Sequence, residues 1–281
     1  MQMHQKNILI GSLKETLAMI WKNKSLFLLL LVLQIVFFAV FFFVTYAYIP
    51  KIIQSVQSIT SYLDNQKLDE ASVTASVMQK KSVLGDDPLS ISRNFNEIAR
   101  NFKTYLFYVF VFLAFFISIS WTATNKLVHK DNYRKLLKYF LKISIISLFC
   151  LGLIFFFFFS LMSIPLTQIA AEESKLYTKY TPFLAFSAIL AYFMFVSLAL
   201  ANKTRLKNIV QRTLAIGIRK FHYIIPVYFI NLFLFASSAV LLFYFIEGSL
   251  FVLFLSLILM IFSFAFGRIF MVNVVERLEK I

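Results

Sequence analysis

The chain has a single cysteine, Cys150, and three scattered histidines, His4, His129 and His222. No intramolecular disulfide can form, and a structural zinc site, which needs several convergent Cys or His ligands, is not expected. Glycine and proline are scarce, at 6 and 5 of 281 residues. The prolines fall at the ends of apolar runs or between them, and no two glycines form a GxxxG pair. Neither a broken helix of the transporter kind nor a glycine-driven helix dimer is indicated. The sequence also lacks His-Glu-x-x-His, Gly-x-Ser-x-Gly and any phosphate-binding loop. Asp86-Asp87 precede Pro88 and read as turn residues rather than a metal-binding pair. No ionisable residue lies near the centre of an apolar run, so the acidic or histidine relay of a proton-coupled carrier is missing. No catalytic residue, metal or cofactor is expected.

What the chain has in excess is apolar surface. Hydrophobic residues make up 60% of it, aromatics 18%, and phenylalanine alone occurs 36 times. A soluble domain of this size rarely exceeds half apolar residues, so the solvent this composition fits is a bilayer. A span needs ~20 mostly apolar residues, because a helix rises ~1.5 Å per residue across a core of ~30 Å. Six segments qualify: 25–49, 105–124, 143–164, 183–201, 224–246 and 249–267. They are continuous rather than alternating and far longer than barrel strands. The sequence therefore predicts an all-α integral membrane protein with six transmembrane helices in three hairpins, a single membrane domain over 1–281 with an extracytoplasmic helical loop over 50–104.

Net charge is +15, from 28 Lys+Arg against 13 Asp+Glu. The basic residues lie between apolar runs, which is the positive-inside pattern rather than a nucleic-acid face. Lys6, Lys14, Lys22 and Lys24 precede the first span. Lys126, Lys130, Arg134, Lys135, Lys138 and Lys142 separate the second and third. Lys203, Arg205, Lys207, Arg212, Arg219 and Lys220 separate the fourth and fifth. These segments and both termini are expected in the cytoplasm of a cell-membrane protein, against anionic lipid. Trp21 and Trp121 are expected at the inner interface, and Tyr46, Tyr48, Tyr105, Tyr108 and Tyr244 at the outer one.

An internal repeat is visible. Thr16-Leu17-Ala18-Met19-Ile20-Trp21-Lys22 resembles Thr213-Leu214-Ala215-Ile216-Gly217-Ile218-Arg219, and Leu136–Lys142 is a weaker third copy. Each copy reads as an amphipathic helix followed by an outward and an inward span. The offset of 197 that aligns Thr16 with Thr213 also aligns Gln34 with Asn231, the strongest carboxamides at membrane depth. The organisation resembles uncharacterised six-span membrane protein families, including the membrane domain attached to some glycerophosphodiester phosphodiesterases. The resemblance rests on Leu13–Leu17 running into Trp21–Leu26 and on the three-hairpin plan. It implies the fold and not the phosphodiesterase activity.

In the outer loop, Ile52, Val56, Ile59 and Leu63, and again Ile91, Phe95, Ile98 and Phe102, repeat at helical spacing. A packed helical pair is expected, with Ser90 capping the second helix and the loop offering a protein-partner surface. The candidate intramembrane polar contacts are Gln34, Asn231, Tyr192 and Arg268, joined by Ser118, Ser120, Thr122 and Thr124. Gln34 and Asn231 are expected to face inward and bond each other directly or through water. Arg268 is expected to snorkel at the inner end of span six, the alternative being an anchor for an anionic lipid headgroup. Two functions follow. A membrane scaffold or accessory subunit predicts close packing. The alternative, a permease for a hydrophobic or amphipathic solute such as a lipid, predicts a cavity lined by those polar groups.

Overall fold

The computed structural model describes residues 2–65, 89–129, 132–161, 173–245 and 249–280. Among them there is no strand. The eight helices are α1 (Gln2–Lys22), α2 (Lys24–Asn65), α3 (Leu89–His129), α4 (Tyr133–Leu161), α5 (Glu173–Leu200), α6 (Leu206–Arg219), α7 (Phe221–Tyr244) and α8 (Leu250–Glu279). Six of these, α2, α3, α4, α5, α7 and α8, are long and apolar enough to cross a membrane. The protein is an all-α, multi-pass membrane protein. Its helices run on through prolines expected at span ends, for Pro50, Pro182 and Pro226 lie inside α2, α5 and α7.

The residues form two compact units, one of 1–38, 113–157 and 165–281, the other of 39–112 and 158–164. In the first, α8 is the central element. From Ala265 to Leu278 it is buried at almost every position, including Ala265, Ile269, Val272, Val274 and Val275 at 0% exposure. Around its upper part, Phe27 and Leu30 of α2 and Leu127 of α3 pack on Ala265 and Ile269. Lipid tails are as apolar as these side chains, so dense packing and polar contacts hold such helices together rather than transfer from water.

The two leading helices α1 and α6 show how that works. Each ends in a one-residue break before its span, at Asn23 and at Lys220, positions that are 197 apart. Ser12 and Thr16 of α1 are buried, as are Ile209 and Thr213 of α6 at the same offset. Leu17 and Trp21 are 50% and 75% exposed, and their counterparts Leu214 and Ile218 are 43% and 64% exposed. Both helices thus turn small or polar residues toward the protein and an apolar stripe outward, the orientation of an interfacial helix. Lys24 sits 3.9 Å over the Trp21 ring, holding its charge beside that stripe. Asn273 donates to the Thr16 hydroxyl at 2.8 Å, tying α1 to α8, and Thr213 meets Ser197 at 3.0 Å, tying α6 to α5. The third leading segment differs from expectation. Residues 133–142 are not a separate helix but the first turns of the continuous α4. No glycine, proline or hydrogen-bonding turn residue interrupts the run from Tyr133 to Ile143, so nothing ends the helix there.

In the second unit the segments flanking the long loop are helical as the periodicity predicts. α2 extends to Asn65 and α3 begins at Leu89. Ile52, Ile59, Ile91, Phe95, Ile98 and Phe102 are half-buried, but Val56 is 46% exposed. Tyr48 packs against Tyr105 and Tyr108, and the Thr45 and Tyr105 hydroxyls lie 3.3 Å apart. Ser90 falls within the first turn of α3 rather than capping it, and its hydroxyl has no partner among the described residues. The Gly85–Pro88 turn and the glutamate Glu247 lie outside the described residues.

Candidate functional site

The apolar run that defines span six does not stop before Arg268. Ile269, Phe270, Met271, Val272, Val274 and Val275 continue it, and α8 runs to Glu279. Arg268 is therefore eight residues, ~12 Å of helix, above Glu276. It does not snorkel. Its Nη1 donates to Gln34 Oε1 at 3.1 Å. Its Nε and Nη2 are shielded from solvent and have no hydrogen-bond partner among the described residues. Gln34, itself 5% exposed, lies ten residues, ~15 Å of helix, into α2 from Lys24. The signal for this placement was legible in the run after Arg268, had the charge not been taken as its end.

Asn231 faces the same stretch of α8 from the other carboxamide position. Its Nδ2 donates to the Gly267 carbonyl at 3.3 Å, and its Oδ1 has no partner among the described residues. Contrary to the expectation from the sequence, the two carboxamides make no direct bond to each other. Each instead engages a neighbouring residue of α8, Gly267 or Arg268, whose directions differ by about 100° around the helix. Gly267 makes the approach of α7 feasible. A Cβ there would stand 3.0 Å from Asn231 Cγ.

Two cavities adjoin Arg268. One, of about 300 Å³, is lined by Trp121, Phe195, Tyr228, Asn231, Phe264 and Arg268, among others. The other, of about 340 Å³, is lined by Gln34, Phe116, Ser120, Trp121, Phe195, Phe264 and Arg268, among others. Arg268, Trp121, Phe195 and Phe264 belong to both. The walls are aromatic and aliphatic, with a few polar atoms around one cation. Trp121 is 2% exposed and stacks on Phe195 at 6.2 Å, so it is a cavity wall and not the interfacial marker its flanking residues suggested.

The remaining candidates serve the scaffold. The Tyr192 hydroxyl donates to the Gly217 carbonyl at 2.8 Å, joining α5 to α6, and Tyr228 donates to the Tyr192 carbonyl at 3.0 Å. Tyr192 lines neither cavity. Ser118, Thr122 and Thr124 each bond the carbonyl four residues back in α3, and of the series Ser120 reaches a cavity.

Toward the ends of the same unit lies a layer of ion pairs. Glu276 pairs with His129 and with Lys203, Glu279 with Arg212, and Glu15 with Arg277. Sequence reasoning missed this layer, because even its nearest partners, Arg212 and Glu279, are 67 residues apart and meet only through helix packing. Among the described side chains no cluster of His, Cys, Asp or Glu is arranged to hold a metal. No family model, curated protein or solved structure shows a detectable match to this chain.

Proposed function

We propose that the protein is a permease-type membrane protein that takes an amphipathic solute, such as a lipid, into the cavities beside Arg268. The observation that carries this reading is a pair of apolar cavities sharing one cation and three aromatic walls, at a depth of ~12 Å from the ion-pair layer. Their volumes lie at the lower end of the range for small-molecule sites, which are apolar with a few placed polar groups. A closely packed scaffold gives no reason for such space next to a charge.

The orientation follows from the basic segments. Both termini and the leading helices α1 and α6 face the cytoplasm, their outward apolar stripes and lysines resting on anionic lipid. An internal repeat accounts for the shared breaks and burial register of α1 and α6. The outer extensions of α2 and α3 remain the surface for a protein partner. In a Cys150-free background, a cysteine at Ser76 is labelled from outside by an impermeant thiol reagent and one at Lys207 is not; the reverse pattern inverts the topology.

The solute reading is tested with a diazirine- and alkyne-bearing acyl probe in lipid nanodiscs. Photolabelling concentrates on peptides carrying Trp121 and Phe264 above the exposed faces marked by Phe229 and Phe233. Labelling no higher at the cavity walls than on those faces overturns the reading.

A further inference from the structure

Arg268 sits where a cation is expensive. A charge at membrane depth, away from water, persists when a partner balances it. The described acids of its unit do not do so. Glu15, Glu276 and Glu279 are each already paired with another base. Gln34 supplies a neutral carbonyl oxygen to Nη1 and no charge. What remains is the Nε–Nη2 edge of the guanidinium, two parallel N–H groups that match the two oxygens of a carboxylate or phosphate. The chain itself shows what this edge takes. In Arg277 the same two atoms, Nε and Nη2, both donate to one oxygen of the Glu15 carboxylate, Oε2, at 3.0 and 2.7 Å, so the edge takes a carboxylate even through a single oxygen.

We infer that the Nε–Nη2 edge of Arg268 is the headgroup site for an acyl-chain amphiphile carrying one negative charge, with its chain along the aromatic walls of the adjoining cavities. This rests on the solute reading above and names the class of solute. A monoanion balances one guanidinium, whereas a dianionic phosphate monoester leaves a surplus charge in a low-dielectric site. The shared chemistry is a pair of oxygens bearing one charge, found in a fatty-acid carboxylate and in a phosphodiester lipid. Gln34 acts as a positioning residue: by holding Nη1 it turns the Nε–Nη2 edge away from α2. Asn231, whose Oδ1 is unpartnered among the described residues, offers an acceptor for a neutral hydroxyl farther along the solute.

The chain has two tryptophans, and Trp121 lines both cavities while Trp21 is exposed. In a Trp21→Phe background, Trp121 fluorescence therefore reports occupancy when the probe carries bromine on its chain. The probes are a brominated fatty acid, a brominated phosphatidylglycerol and, as the neutral arm, a brominated monoacylglycerol, each titrated into zwitterionic nanodiscs. Saturable quenching by one of the anionic probes is expected, and which one identifies the source of the two oxygens. Arg268→Gln weakens that binding by at least about tenfold, the scale of a lost charge-assisted hydrogen-bond pair. Arg268→Lys keeps the charge and loses the fork, so it weakens binding less than Gln and covers the case in which Gln fails to fold. Equal quenching by the neutral probe, or unchanged affinity in both variants, overturns the anionic headgroup while leaving an amphiphile cavity. No saturable quenching by any probe overturns both.

Discussion

Arg268 and Arg277 lie on one face-to-core helix, nine residues or ~14 Å apart, and differ in almost every respect that decides what an arginine does. Arg277 has its carboxylate built into the chain, at Glu15, and both partners are more than a third exposed. Arg268 has a neutral amide on one nitrogen and none of the described acids on the others. The first pair holds α1 to α8 where water reaches it, and exposed pairs contribute little because solvent screens them. The second is a shielded cation whose full partner the described residues do not include. A residue type alone therefore says little about role; the reach of a counter-charge and of water says most.

The comparison is sharpened first by neutralising each arginine. Arg268→Met removes an uncompensated buried charge and is expected to stabilise the ligand-free protein by about 1–4 kcal/mol in bicelle unfolding, as apolar replacements of buried ionic groups often do. Arg277→Met should instead destabilise by up to about 1 kcal/mol, since it breaks a part-exposed pair. A destabilised Arg268→Met protein would mean that its charge is balanced within the chain.

Packing around α8 comes next. Gly267→Ala places a Cβ 3.0 Å from Asn231 Cγ, backed by the helix carbonyl that Asn231 engages. We expect a loss of about 1–3 kcal/mol from overpacking, with Asn231→Ala in the same chain relieving part of it. Equal cost in both backgrounds would detach Gly267 from Asn231.

The carboxamides give a smaller effect. Gln34→Leu and Asn231→Leu each remove one interhelical bond, worth ~0.6 kcal/mol on average in membranes. Because they engage different residues of α8, their losses should add within about 0.5 kcal/mol. Coupling beyond that would restore a direct or water-bridged contact between them.

The smallest change expected is Gly11→Ala. Its Cβ overlaps Arg277 Nη1, the far end of a flexible side chain that can swing aside. The cost is that of loosening the Arg277–Glu15 pair, a few tenths of a kcal/mol, and it should fade at high salt, where exposed pairs are screened. The stabilisation in Arg268→Met should not fade with salt.

Much of the fold was legible because membrane spans and leading helices are local properties. Hydropathy over ~20 residues marks a span whatever packs against it. The site was legible only in part. Gln34, Asn231 and Arg268 stand out in the sequence as polar groups in apolar surroundings, but the sequence does not show that Gln34 meets Arg268 and Asn231 meets Gly267. Gln34 and Asn231 each turn to α8, and Arg268 lies well inside its helix. Treating Arg268 as a terminus hid the apolar residues after it, and Trp121 read as an interfacial marker because basic residues follow it closely in sequence.

By itself the sequence determined that the chain is helical and crosses a membrane six times, since backbone groups in lipid must be satisfied within each segment. It also marked helices leading into spans at α1 and α6, because their periodicity needs no tertiary partner to be read, while the third such helix it gave, at 136–142, is the start of α4. Only the tertiary structure decided which acid neutralises which base. Glu15 and Arg277 are 262 residues apart and meet because α1 packs on the last helix. Only it decided, too, that Arg268 meets an amide and two apolar cavities rather than a carboxylate, since the partner of a charge is fixed by which helices pack together, and no local pattern encodes that.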